Sequence, residues 1–318
     1  MKKFALQISV FSVIVILSFL WMLSKADGYT DPFYLRFTTP KQNNLIIGTS
    51  RAAQGLQPEI FKELLNVDIY NYSFTNSQSP FGAIYFESIK KKLCKNAKDG
   101  VFIVTVDPWA ISSEGANPND SLKFREVGLC LDNTHIVDIN PNFMYLIENL
   151  GGNFYKIFIY NKSMYLHTNG WLEISIPMDS ASVNKRTKDK IQDYRAGILQ
   201  DYKFSSLRLN YLYKTIDFLR NYGKVYIVRL PIHPKMMEIE NEFMPDFNDI
   251  IKDIIPLTSG YMDMTVHNQA YRYIDGNHLY KESGKLVSEK IATWIKNGGE
   301  GKMNKSTSER RTAYFKNK

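Results

Sequence analysis

Two uninterrupted apolar runs, "GVFIVTVD" (residues 100–107) and "KVYIVRLP" (224–231), constrain this 318-residue chain most. Neither alternates polar with apolar residues, so a strand made from either must be covered on both faces. That is the condition of a parallel sheet with helices on both sides. The segments around them fit the same scheme. Residues 44–47 form a short apolar strand, and "PEIFKELL" (58–65) has helical spacing with Pro58 at a helix start. "VDIYNYSF" (67–74) alternates as a strand does, and "FGAIYFESIKKKL" (81–93) reads as an amphipathic helix. "FSSLRLNYLYKTIDFLRNYG" (204–223) reads as a helix closed by Gly223, "GYMDMTV" (260–266) as a last strand and "KESGKLVSEKIATWIKN" (281–297) as a last helix. Strands alternating with helices at this length predict an α/β fold: a three-layer, flavodoxin-like parallel sheet with helices on both faces.

The rhythm is interrupted in two places. Between about 108 and 203 the sequence turns polar and irregular, with "PNFMYLIENL" (141–150) the clearest helix. This stretch reads as an insertion in a domain spanning 28–297, placed to cap a site. At the amino end, "FALQISVFSVIVILSFLWMLS" (4–24) carries no charge and follows Lys2 and Lys3. About 20 apolar residues cross a hydrocarbon layer of about 30 Å, longer than the usual apolar core of a signal peptide. Residues 1–27 are expected to be an uncleaved signal anchor. Ser24-Lys25-Ala26 also has the form of a cleavage site, so a secreted product is the alternative. Lysines before the span put the rest of the chain outside the cytoplasm. Residues 25–43 read as a short polar linker. The last residues, 298–318, are glycine-led, polar and basic, and are expected to be disordered.

The net charge of +8 comes from scattered basic residues and the tail, with no basic stripe interleaved with aromatics, so a nucleic-acid partner is not expected. Cys94 and Cys130 leave one disulfide and two free thiols both open. His135, His167 and His267 stand singly, without ligand spacing, so no metal is expected. No glycine-rich phosphate loop is present, and no cofactor is expected.

In an open α/β sheet, ligands bind beyond the carboxyl ends of the strands. The first strand ends there in Gly48-Thr49-Ser50-Arg51. Before the last helix, "YIDGNHLYKESG" (273–284) sets Asp275 three residues ahead of His278. That spacing lets the carboxylate accept from the imidazole and fix its tautomer. An imidazole held so, set against the Ser50 hydroxyl, is the arrangement that activates a nucleophile for acyl transfer.

These two blocks resemble the SGNH (GDSL-type) hydrolase superfamily, over roughly residues 44–107 and 204–297. The final block, Asp275-Gly276-Asn277-His278-Leu279, matches that family's pattern fully, and Thr49 stands where its first block usually has aspartate. The resemblance implies Ser50, Asp275 and His278 as a catalytic triad, with the backbone N–H groups of Ser50 and Asn76 facing the oxyanion. Asn76 occupies the place of the family's second-block glycine, and both residue types tolerate positive φ; the alternative is a plain loop turn. Where the family has Gly-x-Asn-Asp, this chain reads Thr105-Val106-Asp107-Pro108, and the asparagine donor is missing. Asp107 then caps the next turn or serves as a site acid.

Three residues are candidates for binding substrate: Arg51, against a structural ion pair; His233, against a rigid-turn residue between prolines; and Trp171, against a core position. An anchored chain with "GTSR" and "DGNHL" is similar to SGNH-like proteins that accompany membrane-bound O-acyltransferases in alginate O-acetylation and teichoic-acid D-alanylation. The resemblance implies an extracytoplasmic serine esterase or O-acyltransferase acting on an acylated glycan or cell-surface polymer, partnered by such an acyltransferase. The alternative is a catalytically weak accessory or scaffold subunit of a polysaccharide assembly complex.

Overall fold

A computed structural model of the chain describes residues 1–299 except Ala97 and Asn161. Nearly all of the tail expected to be disordered lies outside the described residues. An apolar helix, α1 (Lys2–Leu23), leads into an α/β domain. The domain runs β1 (Leu45–Ile47), α2 (Ser50–Gly55), α3 (Pro58–Leu65), β2 (Tyr70–Asn71), α4 (Ala83–Lys92) and β3 (Gly100–Thr105). After the insertion come α5 (Ser206–Leu219), β4 (Gly223–Arg229), α6 (Pro234–Phe243), β5 (Gly260–Asp263) and α7 (Lys281–Lys296).

The five strands form one parallel sheet in the order β2-β1-β3-β4-β5. Residue parity sorts each strand between two cores. Leu45, Ile47, Phe102, Val104, Val225 and Ile227 face α4 and α5. Ile46, Ile103, Tyr226 and Val228 pack against α2, α3 and α7. The apolar runs therefore read correctly as strands covered on both faces. After β1 the chain turns one way to β2 and then returns to the other side for β3. The crevice where the direction reverses lies at the carboxyl end of β1.

Several expectations need correcting. The strand foreseen over 67–74 is only Tyr70–Asn71. It is the sheet edge beside the three-residue β1, and the Asn71 N–H already donates to Asn169 of the insertion. Gly223 does not close the preceding helix, which ends at Leu219; it opens β4. Residues 25–43 are not a linker. Tyr34, Arg36 and Phe37 are fully buried, Phe37 stacks on Tyr145 at 4.9 Å between ring centroids, and the Arg36 guanidinium donates to the carbonyls of Asn71 and Gly170. Aromatic side chains interleaved with polar ones hid this segment's contribution to the core.

The insertion is a closed excursion: near its two ends, Ser112–Glu114 and Tyr202–Phe204 pair antiparallel. Between them lie the expected helix, observed at Phe143–Asn149, a hairpin of Met164–Leu166 with Leu172–Ile174 and a helix, Ser180–Asp193, that its composition did not reveal. Only Thr187 on that helix is buried, so it carries no apolar stripe for a sequence pattern to detect. A buried ion pair, Glu126 with Arg208 of α5, ties the insertion to the sheet domain. Cys94 and Cys130 are both free thiols.

Candidate functional site

Ser50 opens α2 directly beyond β1. The turn between them is tight: a Cβ on Gly48 would collide with Thr105 Oγ1 of the neighbouring strand. Glycine lets β1 and β3 approach there, and the Gly48 carbonyl accepts from Ser79 Oγ at 2.7 Å. At the other end of the domain, Gly276 has φ +86°, a left-handed conformation that glycine adopts at low cost. It reverses the chain so that Asp275 and His278 face each other.

The structure brings these two regions together across 228 residues. Ser50 Oγ lies 2.8 Å from His278 Nε2. His278 Nδ1 sits 3.0 Å from each oxygen of Asp275. A carboxylate only accepts, so Nδ1 carries the proton and Nε2 is left to accept from the serine hydroxyl. Asp275 Oδ1 also accepts the backbone N–H groups of Asn277 and His278, each at 3.0 Å. Burial raises the Asp275 carboxyl, but the His278 imidazole, Lys190 at 3.7 Å and the Asn277 amide outweigh it and hold it well below the usual carboxylate range. It stays an anion, as a partner for a developing imidazolium must.

Behind this row lies a buried polar network that sequence reasoning missed. The Arg51 guanidinium donates to Asn277 Oδ1 from Nε at 3.0 Å and Nη2 at 2.6 Å, and its Nη1 pairs with Glu240 at 2.7 Å. Glu240 also accepts from Trp109 Nε1 at 3.0 Å and Arg229 Nη2 at 3.1 Å. Asn277 Nδ2 reaches the Tyr194 hydroxyl. Arg51 is 5% exposed and committed inward, so it is placed as a structural ion pair, not as a substrate ligand. The residue after the serine thus holds the residue before the histidine. The available signal was Glu240 itself, which shares the buried face of α6 with Met236 and Ile239. A glutamate on an apolar stripe calls for a cationic partner.

If this clamp sets the Ser50–His278 distance, Asn277→Ala will lower kcat on an activated ester by about 10²-fold with little change in KM, since misplacement by about 1 Å is that costly. Steady-state kinetics check this, and an unchanged kcat would refute the positioning role.

The other candidates are placed as follows. Asn76 is gripped by Arg125, which donates to its backbone carbonyl at 2.8 Å and its side-chain oxygen at 3.1 Å. It does not adopt positive φ; among the described residues the non-glycine cases are Asn66 and Asp99. Asp107 caps the next turn by accepting from the Ala110 N–H at 3.0 Å, while its other oxygen lies 3.4 Å from Thr49 Oγ1. Burial raises its carboxyl, Arg51 pulls it down and Glu240 pushes it further up, for a net upward shift.

His233 sits beside the histidine loop. Its N–H donates to the Gly276 carbonyl at 2.9 Å, and its Nδ1 accepts from the Lys235 N–H at the start of α6. Half-buried Trp171 is on the hairpin, where its indole N–H donates to the Gln54 carbonyl of α2 at 2.9 Å and its ring stacks on His167. The missed helix Ser180–Asp193 lies against the same loop, through Lys190 and through Arg186, which donates to the Ile274 carbonyl. Among the described residues no cluster of histidine, cysteine and acidic side chains is arranged to hold a metal.

Fold and site together define an α/β protein with a Ser-His-Asp row at the switch point of a five-stranded parallel sheet. No protein-family model matches the chain, and no curated protein matches it.

Proposed function

We propose that this chain is a membrane-anchored, extracytoplasmic serine esterase or O-acyltransferase of SGNH type that acts on acyl groups of a cell-surface glycan or polymer. The observation that carries the reading is the continuous hydrogen-bonded row from Ser50 Oγ through both nitrogens of His278 to Asp275. In this reading His278 Nε2 takes the serine proton as Oγ attacks the acyl carbonyl, and Asp275 stabilises the imidazolium. The backbone N–H groups of Ser50 and Asn76 face the oxyanion; among the described residues, neither has an intramolecular partner. The imidazolium then gives its proton to the departing alcohol. Water or a sugar hydroxyl, deprotonated by the same nitrogen, resolves the acyl-enzyme, which makes the product a free acid or a transferred ester. Orientation comes from α1, an apolar helix long enough to span a bilayer; the positive-inside preference puts its leading Lys2 and Lys3 on the cytoplasmic side. The partner suited to this chemistry is a membrane-bound O-acyltransferase delivering acyl groups across the membrane.

One observation favours the accessory-subunit reading. Asp107 occupies the place of the family's asparagine donor and turns a carboxyl oxygen toward Thr49. An unprotonated acid there offers an oxyanion no hydrogen bond, and a lost donor costs on the order of 10²–10³ in rate. A fluorophosphonate probe on the full-length protein in detergent separates the two. The enzyme reading expects covalent labelling that maps to Ser50 and vanishes in Ser50→Ala. Folded protein that takes up no probe supports the scaffold.

A further inference from the structure

The membrane anchor and the insertion meet, and the lengths at their meeting point do not allow the domain to stand clear of a bilayer. The last turns of α1 pack on the domain: Leu23 is fully buried, Phe19 and Met22 lie against the same core, and Phe19 meets Phe154 edge-on at 5.2 Å between ring centroids. The apolar stretch of α1 not covered by protein runs over residues 4–18, with Trp21 beyond it also exposed. Fifteen residues at about 1.5 Å each extend about 22 Å, short of a hydrocarbon layer of about 30 Å. For α1 to span, its packed turns must lie at the level of the hydrocarbon edge. The surface they touch is carried down with them.

That surface has the composition such a depth requires. Met144 and Ile147 lie on the outer face of the helix Phe143–Asn149, whose inner face buries Tyr145 and Leu146. Just beyond, Tyr155, Phe158, Ile159 and Tyr160 are each more than half exposed, whereas Ile157 between them is buried. So many large apolar side chains left in water along one stretch mark an interaction surface. Tyrosine and tryptophan favour the headgroup level of a bilayer, and exposed Trp21 stands on α1 two residues after Phe19, with Lys25 over its ring. Lys156 and Lys162 flank the apolar side chains and suit anionic headgroups; Glu148 is the acidic residue among them.

We infer that the edge of the insertion formed by residues 144–160 is seated in the bilayer interface beside α1, so that the domain is held to the membrane at two points and lies against the lipid. The inference rests on the reading of α1 as a membrane anchor and is independent of the triad. It commits to lipid, because the patch is continuous with a helix whose own apolar length is incomplete without it.

The test is spin-label accessibility in the full-length protein, in vesicles of phosphatidylethanolamine and phosphatidylglycerol. Nitroxide labels are introduced one at a time at Ile147→Cys, Ile159→Cys, Val13→Cys and Val266→Cys, in a background with Cys94→Ser and Cys130→Ala. A side chain 5–10 Å into the headgroup boundary should collide with oxygen more than with a water-soluble nickel chelate. Its nickel collision rate is expected to be roughly fivefold or more below that at Val266, an exposed residue outside the patch. Labels at 147 and 159 that behave as at 266, while 13 is lipid-like, overturn the inference. A water-like label at 13 removes the anchor, and this seat with it, but leaves the triad chemistry untouched.

Discussion

His278→Ala is expected to slow acylation of Ser50 by roughly 10⁴- to 10⁶-fold, as removal of the base does when serine, histidine and aspartate act as one unit. Among the described residues, the serine hydroxyl has a single nitrogen placed to receive its proton, at 2.8 Å. His233, which lies against the histidine loop through the Gly276 carbonyl, spends Nδ1 on the start of α6. Asp275→Asn should lose less, on the order of 10²–10⁴-fold. An amide at that position can donate to Nδ1 and so stabilise the tautomer with the proton on Nε2, which cannot take a proton from serine. If Ser50 and His278 act as one unit, the double variant Ser50→Ala/His278→Ala should be no slower than either single one. Rates of nitrophenyl-ester turnover for the four variants decide the matter. Multiplicative losses would mean that the two side chains act separately, and the row would be a structural hydrogen bond.

The second large effect is on stability. Glu240→Ala should destabilise the fold by about 3–5 kcal/mol, the cost of leaving a buried charge without its partner. Glu240 is 1% exposed at its side chain and holds Arg51, Arg229 and Trp109 Nε1 at once. Its removal leaves Arg51 Nη1, Arg229 Nη2 and the Trp109 indole N–H without their acceptor in the interior. Arg229 Nε has no partner even in the intact network. For a domain of this size the loss corresponds to about 6–20 °C in Tm. Glu240→Gln, which keeps an acceptor oxygen and loses the charge, should fall between. Thermal unfolding followed by near-UV circular dichroism in detergent measures all three proteins. An alanine variant within about 1 kcal/mol of the parent would mean that the arginines find other acceptors, and Arg51 could not then be the fixed clamp on Asn277 described above.

What could be read directly from the sequence follows from local periodicity. The runs at 100–107 and 224–231 are apolar without alternation because both faces of their strands are covered, and any chain carrying them must cover them. Pro58 begins its helix, and the last helix spans nearly the residues its spacing announces. Ser50, Asp275 and His278 were legible because each sits in or directly after a short turn whose residue types are constrained locally, down to the left-handed Gly276.

Segments whose partners lie far away in the chain could not be read in this way. Arg36, Arg51 and Glu240 look like surface charges until the fold buries each against a specific acceptor or donor, and a hydrogen bond between positions 51 and 277 leaves no periodic trace. The polar helix Ser180–Asp193 makes the same point in reverse, since it packs through Lys190 and Arg186 on the histidine loop instead of through an apolar stripe. Burying an apolar side chain needs only a covered face, which spacing reports. Burying a charge needs one particular partner at about 3 Å, and only the folded chain decides which residue that is.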